Sequence, residues 1–190
     1  SIIVRCRRTK LLLILLSVFS SNYALAGDQI CEREMIRAAR ENAIPVAVLY
    51  AVALTETGQK GALQPYAINI EGRPEFSSNR GVAIQRFEQA RLSGAKLIDI
   101  GCMQINHYFH SQKFSSLEEM FEPRSNVDYA ARFLKALNRT EGSWTGAVAR
   151  YHAGPGNAPA QHRYVCAVIE NMIKSGFGAW TTAASAFCGR

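Results

Sequence analysis

The sequence predicts an α+β fold that is mainly α, and three observations carry that expectation. Apolar residues recur at helical spacing in several separate segments, one of which is apolar on almost every face. A single stretch, Gln64 to Phe76, changes to a period of two and encloses a Glu71-Gly72 turn. No repeat, low-complexity run or interdomain linker divides the chain, so residues 27–190 read as one domain with one core.

The first segment reads as an address rather than as structure. Arg5, Arg7, Arg8 and Lys10 precede the apolar run Leu11 to Phe19, and Ala24-Leu25-Ala26 follows it. That order of charged, apolar and small residues predicts a signal peptide over residues 1–26, cleaved before Gly27, and so a periplasmic or secreted protein. A membrane anchor is the alternative, but the apolar run is much shorter than the roughly 20 residues a bilayer requires. Removing residues 1–26 takes away four cations and no anion, which lowers the formal net charge from +7 to +3. A mildly cationic chain suits a polyanionic wall or membrane surface. Without a basic, aromatic-interleaved stripe it gives no case for nucleic acid.

Ile30 to Glu41 predicts a first helix, and Pro45 stands where a first-turn proline is tolerated at the start of a second. Val46 to Leu54 leaves almost no polar face, so this second helix must be central, with Gly58 expected just past its end. Tyr66, Ile68 and Ile70 alternate against Ala67 and Asn69, which reads as a small hairpin. Asn79 to Leu92 predicts a short helix with Gly94 behind it, leading into Leu97 to Ile100 as a third short strand. Ser115 or Ser116 with Glu118 or Glu119 resembles a capping box, Val127 to Leu137 is amphipathic, and Ser143 can cap Trp144 to Tyr151. Val165, Val168, Ile169, Met172 and Ile173 form a last helical stripe that stops at Gly176.

Cys6 leaves with the signal, while Cys31, Cys102, Cys166 and Cys188 stay. Four cysteines in an exported chain permit two disulfides with three connectivities, and their wide spacing without a Cys-x-x-Cys pair argues against zinc. For Cys102 and Cys166, inside apolar segments, simple packing is an equally open reading. Cys31 and Cys188 flank the core, and at least one disulfide is expected to join them.

Glu56 is the residue hardest to explain blandly, because it ends an almost wholly apolar helix where the macrodipole is negative. Both circumstances penalise a negative charge, the setting in which a carboxylic acid can act as a proton donor. An ordinary exposed Glu in a frayed last turn is the competing reading, and the helix alone does not separate the two. Further on, Gly101-Cys102-Met103-Gln104-Ile105-Asn106 places a glycine and two amides at a strand end, suited to close backbone approach and to sugar hydroxyls and N-acetyl groups. Arg150 to Asn157 is a helix end breaking into a Gly/Pro turn; a cap explains the glycines and leaves the Tyr151 phenol unexplained.

Taken in order, Thr55-Glu56-Thr57-Gly58, Gly101 to Asn106 and Tyr151 to Gly156 resemble the motifs of the soluble lytic transglycosylase family: Glu-Ser-Gly, Gly-Leu-Met-Gln-Ile-Asn and Ala-Tyr-Asn-Ala-Gly-Pro-Gly. The resemblance spans roughly Cys31 to Lys174. The stretch Ile68-Asn69-Ile70-Glu71-Gly72-Arg73-Pro74 looks like the version found in transglycosylases of conjugation, pilus or secretion machinery. Thr57, Cys102 and His152 depart from the usual Ser, Leu and Asn.

The resemblance implies a lysozyme-like domain with a small β-section beside a glycan-binding groove. By position, Glu56 is the acid/base, Met103 and Gln104 line the groove, Thr57 and Asn106 contribute to binding substrate, and Tyr151 hydrogen-bonds near the Glu56 carboxylate. Most glycosidases use two carboxylates, whereas here one stands out. Asp99 is the nearest candidate for a second, and its strand-like setting also fits a bond to backbone or a cation. The implied reaction cleaves peptidoglycan glycan strands with an anhydromuramic end and needs neither cofactor nor metal. The expected partners are those strands and components of a type IV secretion, conjugation or pilus machine. A hydrolytic lysozyme on the same bond and a noncatalytic wall-binding adaptor are the rival readings; product analysis separates the first, and the intact Glu56 argues against the second.

Overall fold

The computed structural model describes residues 29–57 and 63–190, so the expected signal segment and the stop at Gly58 lie outside the described residues. Helix α1 spans Ile30–Asn42 and α2 spans Val46–Thr57. Strands β1 (Ala67–Ile70) and β2 (Arg73–Phe76) precede α3 (Arg80–Leu92), and β3 (Ile98–Ile100) and β4 (Ile105–Asn106) follow it. Then come α4 (His107–His110), a 3-10 turn at Ser111–Lys113, α5 (Leu117–Phe121), α6 (Pro123–Glu141), α7 (Trp144–His152), α8 (Ala158–Lys174) and α9 (Thr182–Cys188). Two expected helices gain length where a cap or proline sets the true boundary: Pro123 opens α6, Gly142 closes it in the left-handed region, and Asn157 caps α8.

Val48, Leu49, Ala51, Val52 and Ala53 of α2 are buried, and Tyr50 and Leu54 pack partly buried against the same core, which places this helix at the centre of the helical lobe, between α1 and α8. Helix α1 buries Cys31, Met35, Ala38 and Ala39 on one face. On its other side Arg37 reaches Glu34, Glu41 and, at 2.7 Å, Asp128 of α6.

The strands form an antiparallel sheet in the order β2-β1-β3-β4. Glu71 and Gly72 both take positive φ, 51° and 88°, and close the hairpin; Asn69 Oδ1 accepts from the Gly72 amide at 2.8 Å. Pro74 falls on β2, the edge strand, where a missing N–H costs no ladder bond. Alternation sends Ile68, Ile70, Ile98, Ile100 and Ile105 into the core. The opposite parity aligns Asn69, Asp99 and Asn106 as direct cross-strand neighbours.

A buried amide locks the sheet to the helices. Asn126 of α6 is fully buried; its Nδ2 donates to Ile100 O and Met120 O, each at 2.9 Å, and its Oδ1 accepts from Met103 N at 2.9 Å. Gly101 sits at φ +81°, and a Cβ there would meet Asn126 Nδ2 at 2.6 Å, so both conformation and space require glycine.

The disulfides correct the sequence expectation. Cys31 bonds to Cys102 and Cys188 bonds to Cys166, so the Cys31–Cys188 link is not formed. Cys31 faces the core beside the Gly101–Asn106 turn, whereas α9 folds back on α8 and brings Cys188 to Cys166. Cys102 and Cys166 are therefore cross-links as well as packing residues.

In the capping region, Ser116 Oγ accepts from Glu119 N as expected, but the Glu119 carboxylate reaches Ser115 rather than Ser116. Ser143 caps α7 through the Gly146 amide at 3.0 Å.

Candidate active site

The polar row of the sheet faces a groove of about 600 Å³, with the C-terminal end of α2 opposite. Glu56, Asn69, Asp99, Gln104, Asn106 and Tyr151 line it, together with Phe109, Phe133 and His152. The flat apolar faces of Phe109 and Phe133 and the amides of the sheet suit a ligand with both C–H faces and polar edges, as a sugar has.

The last turn of α2 is fixed on both sides of Glu56. Asn171 of α8 donates to Thr55 Oγ1 at 2.9 Å. Thr57 Oγ1 bonds to Ala53 O at 3.1 Å and to Cys102 O at 3.2 Å. Glu56 stands between these anchors with its side chain 15% exposed, and Tyr164 of α8 donates its hydroxyl to Oε1 at 2.5 Å. His152 Nδ1 lies 3.7 Å from that same oxygen.

Thr57 and Met103, expected at the groove surface, are buried. The Thr57 hydroxyl is a structural tie, which explains how Thr can replace Ser there. Met103 enters the core because Gln104, at φ +48°, turns the chain sharply after it. What Met103 contributes is its backbone: the amide donates to Asn126 and the carbonyl accepts from Tyr151 Oη at 2.7 Å. The phenol bonded to Glu56 is consequently that of Tyr164, not of Tyr151. Burial and the nearby Glu56 charge push both phenols well above their usual range, so each remains a proton-bearing donor.

Gln104 and Asn106 do line the groove, but both also brace it. Gln104 Nε2 donates to Gly101 O at 3.1 Å and Ala67 O at 3.3 Å. Asn106 Nδ2 donates to Asp99 Oδ1 at 2.7 Å, and its Oδ1 caps α4 through Phe109 N. Asp99, read from sequence as a strand residue with an uncertain partner, faces the groove. Burial raises its proton affinity above the usual carboxylate range, the Asn106 bond opposes this, and the charge of Glu56 adds to it.

Sequence reasoning missed Tyr164 and Asn126. Tyr164 lies one turn before Val168 on the face of the final apolar stripe, and a polar tip on such a stripe is the signal that points to it. Asn126 is a polar residue one position before the amphipathic run beginning at Val127, and nothing local reveals its bonds to Ile100 and Met103.

A helical lobe and a small antiparallel sheet facing each other across a groove, with a carboxyl at the end of the central helix, define a lysozyme-like fold. The family model for the transglycosylase SLT domain matches residues 34–172, which includes every groove residue named above, and the chain belongs to that family. Its substrate class is accordingly peptidoglycan. No curated protein and no solved structure matches the chain.

Proposed function

We propose that the protein is a peptidoglycan lytic transglycosylase in which Glu56 serves first as acid and then as base. The observation that carries this reading is the placement of Glu56: an anchored carboxyl lining the groove, with Oε1 accepting from Tyr164. Protonated Glu56 gives its proton to the oxygen linking N-acetylmuramic acid to N-acetylglucosamine, and that C–O bond breaks. The acetamido group of the muramic acid stabilises the cation that develops. The Glu56 carboxylate then takes the proton of the 6-hydroxyl of the same sugar as its oxygen closes the 1,6-anhydro ring. Glu56 regains its proton and no water is consumed. Gln104 and Asn106 contact the glycan, while Thr57, Met103 and Tyr151 support it from beneath through the contacts described above.

Asp99 favours a second reading, because a carboxylate in the same groove is what a hydrolytic lysozyme uses. Mass spectrometry of a digest made in ¹⁸O-labelled water separates the two. Anhydromuramic products without label support the transglycosylase; reducing muramic ends carrying label establish hydrolysis.

Residues 1–26 act as a cleaved export signal in this proposal, leaving 27–190 as the working enzyme in the periplasm or medium. Two disulfides suit that oxidising destination. The Ile68–Pro74 stretch supports service to a secretion, conjugation or pilus machine by local opening of the wall. Recovery of an uncleaved chain in the membrane fraction, or assembly of such a machine undiminished by deletion of this protein, refutes the corresponding part.

A further inference from the structure

Where the family motif usually has Asn, this chain has His152, and its geometry ties it to the carboxyl of Glu56. The imidazole lies flat on the Tyr164 ring, with centroids 4.3 Å apart and planes within 3°. Tyr164 donates to Glu56 Oε1, and His152 Nδ1 approaches that same oxygen to 3.7 Å. Two stacked rings from different helices therefore converge on one carboxylate oxygen. At 3.7 Å the imidazole makes a charge contact rather than a hydrogen bond. Its side chain is 47% exposed, so it exchanges protons with solvent directly.

The surroundings of His152 leave Glu56 as its principal electrostatic partner. Asp99 adds a second negative group from β3. Tyr164 from α8 and Tyr151, the residue before His152 on α7, stay neutral, as argued above. Arg150, on the same helix as His152, lines the groove with its guanidinium paired to Glu141 at 3.2 Å.

We propose that His152 is a positioning residue that shares one proton with Glu56, so that a Glu–His dyad rather than an isolated carboxyl feeds the reaction. The inference rests on the reading of Glu56 as acid/base. In the singly protonated dyad the proton resides on either group, and only the form with protonated Glu56 can donate to the glycosidic oxygen. The contact with Glu56 raises the proton affinity of the imidazole, burial opposes the rise, and the Glu56 and Asp99 charges add to it. Between the two ionisations of the dyad the reactive form therefore keeps a constant share, and the rate falls above the upper one. Without the imidazole, the alkaline fall begins at lower pH and the rate continues to climb on the acid side.

The test has two arms on the mature chain. In the first, NMR follows the His152 imidazole through a pH titration, with the signal assigned by its loss in His152→Asn. The wild-type midpoint should lie above the ordinary value of roughly 6.5 and drop by about one unit or more in Glu56→Gln. An identical midpoint in the two proteins overturns the proposal. In the second, pH profiles of kcat and KM on purified sacculi are compared for wild type, His152→Asn and His152→Gln. The alkaline midpoint of kcat should move down by about one pH unit in both variants, with KM little changed; an unmoved profile overturns the proposal even if the NMR coupling is present. The NMR arm needs no turnover. If Glu56→Gln remains active, the acid/base reading fails and takes the catalytic role of the dyad with it, whereas a titration unaffected by Glu56→Gln defeats the dyad alone.

Discussion

The two walls of the groove hold a carboxyl each, and they hold it differently. On the helical wall, Glu56 receives a phenol from α8, which packs on the central α2, and faces an imidazole from α7, which packs on α8. On the sheet wall, Asp99 receives the amide of Asn106 from the adjacent strand. One carboxyl is surrounded by groups that can give or share a proton. The other is bonded to a group that cannot titrate, which suits a fixed electrostatic or binding role better than proton transfer.

The most severe way to break this contrast is Glu56→Gln. It keeps the shape, removes the proton, and should lower anhydromuropeptide release by roughly a thousandfold, the middle of the range for a lost general acid/base. Circular dichroism and thermal unfolding should be unaltered; full activity in the variant would remove Glu56 from the mechanism.

The junction of the two walls is the next target. Gly101→Ala combines a positive φ with a 2.6 Å approach to Asn126, so denaturant unfolding should show a loss of about 2–3 kcal/mol. A loss below about 1 kcal/mol would mean that the Asn126 latch yields easily.

Tyr164→Phe removes the donor to Glu56 and should lower kcat by about tenfold, whereas Tyr151→Phe, which loses only a bond to Met103 O, should cost less. The reverse ranking would assign the orienting role to Tyr151.

Asp99→Asn sharpens the sheet side and should slow turnover only a few-fold. A loss as large as that of Glu56→Gln would instead mark a two-carboxylate hydrolase. Stability gives an independent reading. The folded Asp99 holds its proton to higher pH than an unfolded aspartate, so the folded state is penalised as pH rises from about 4 through the folded ionisation. Asp99→Asn should therefore be more stable than wild type at pH 7 and gain nothing from this effect at pH 3. Equal differences at the two pH values would contradict the burial argument.

What sequence reveals here is what depends on local pattern. The apolar circumference of α2, the two-residue hairpin turn and the serine caps are each written in a few neighbouring residues. The groove position of Asp99 was latent in the same alternation that buries Ile98 and Ile100, because the residue between two core-facing strand positions must face the other way. The inward turn of Met103, the bonding of Tyr164 to Glu56, and the pairing of Cys31 with Cys102 are contacts between segments far apart in the chain. Tertiary packing sets them. The Thr57 error has the same origin: its hydroxyl looks available until the Cys102 carbonyl is placed beside it.

The row Asn69, Asp99 and Asn106 gives the sheet an arithmetic constraint. Because adjacent strand positions face opposite ways, gain or loss of one residue within β1 or β3 exchanges the row with its isoleucine neighbours and buries the Asn69 amide or the Asp99 carboxyl where an isoleucine now packs. A change of two residues preserves the parity. Length variation in this part of related chains should therefore be confined to the Glu71-Gly72 turn, to the connection through α3, or to even steps inside the strands, and the sheet acts as a reading frame for the groove.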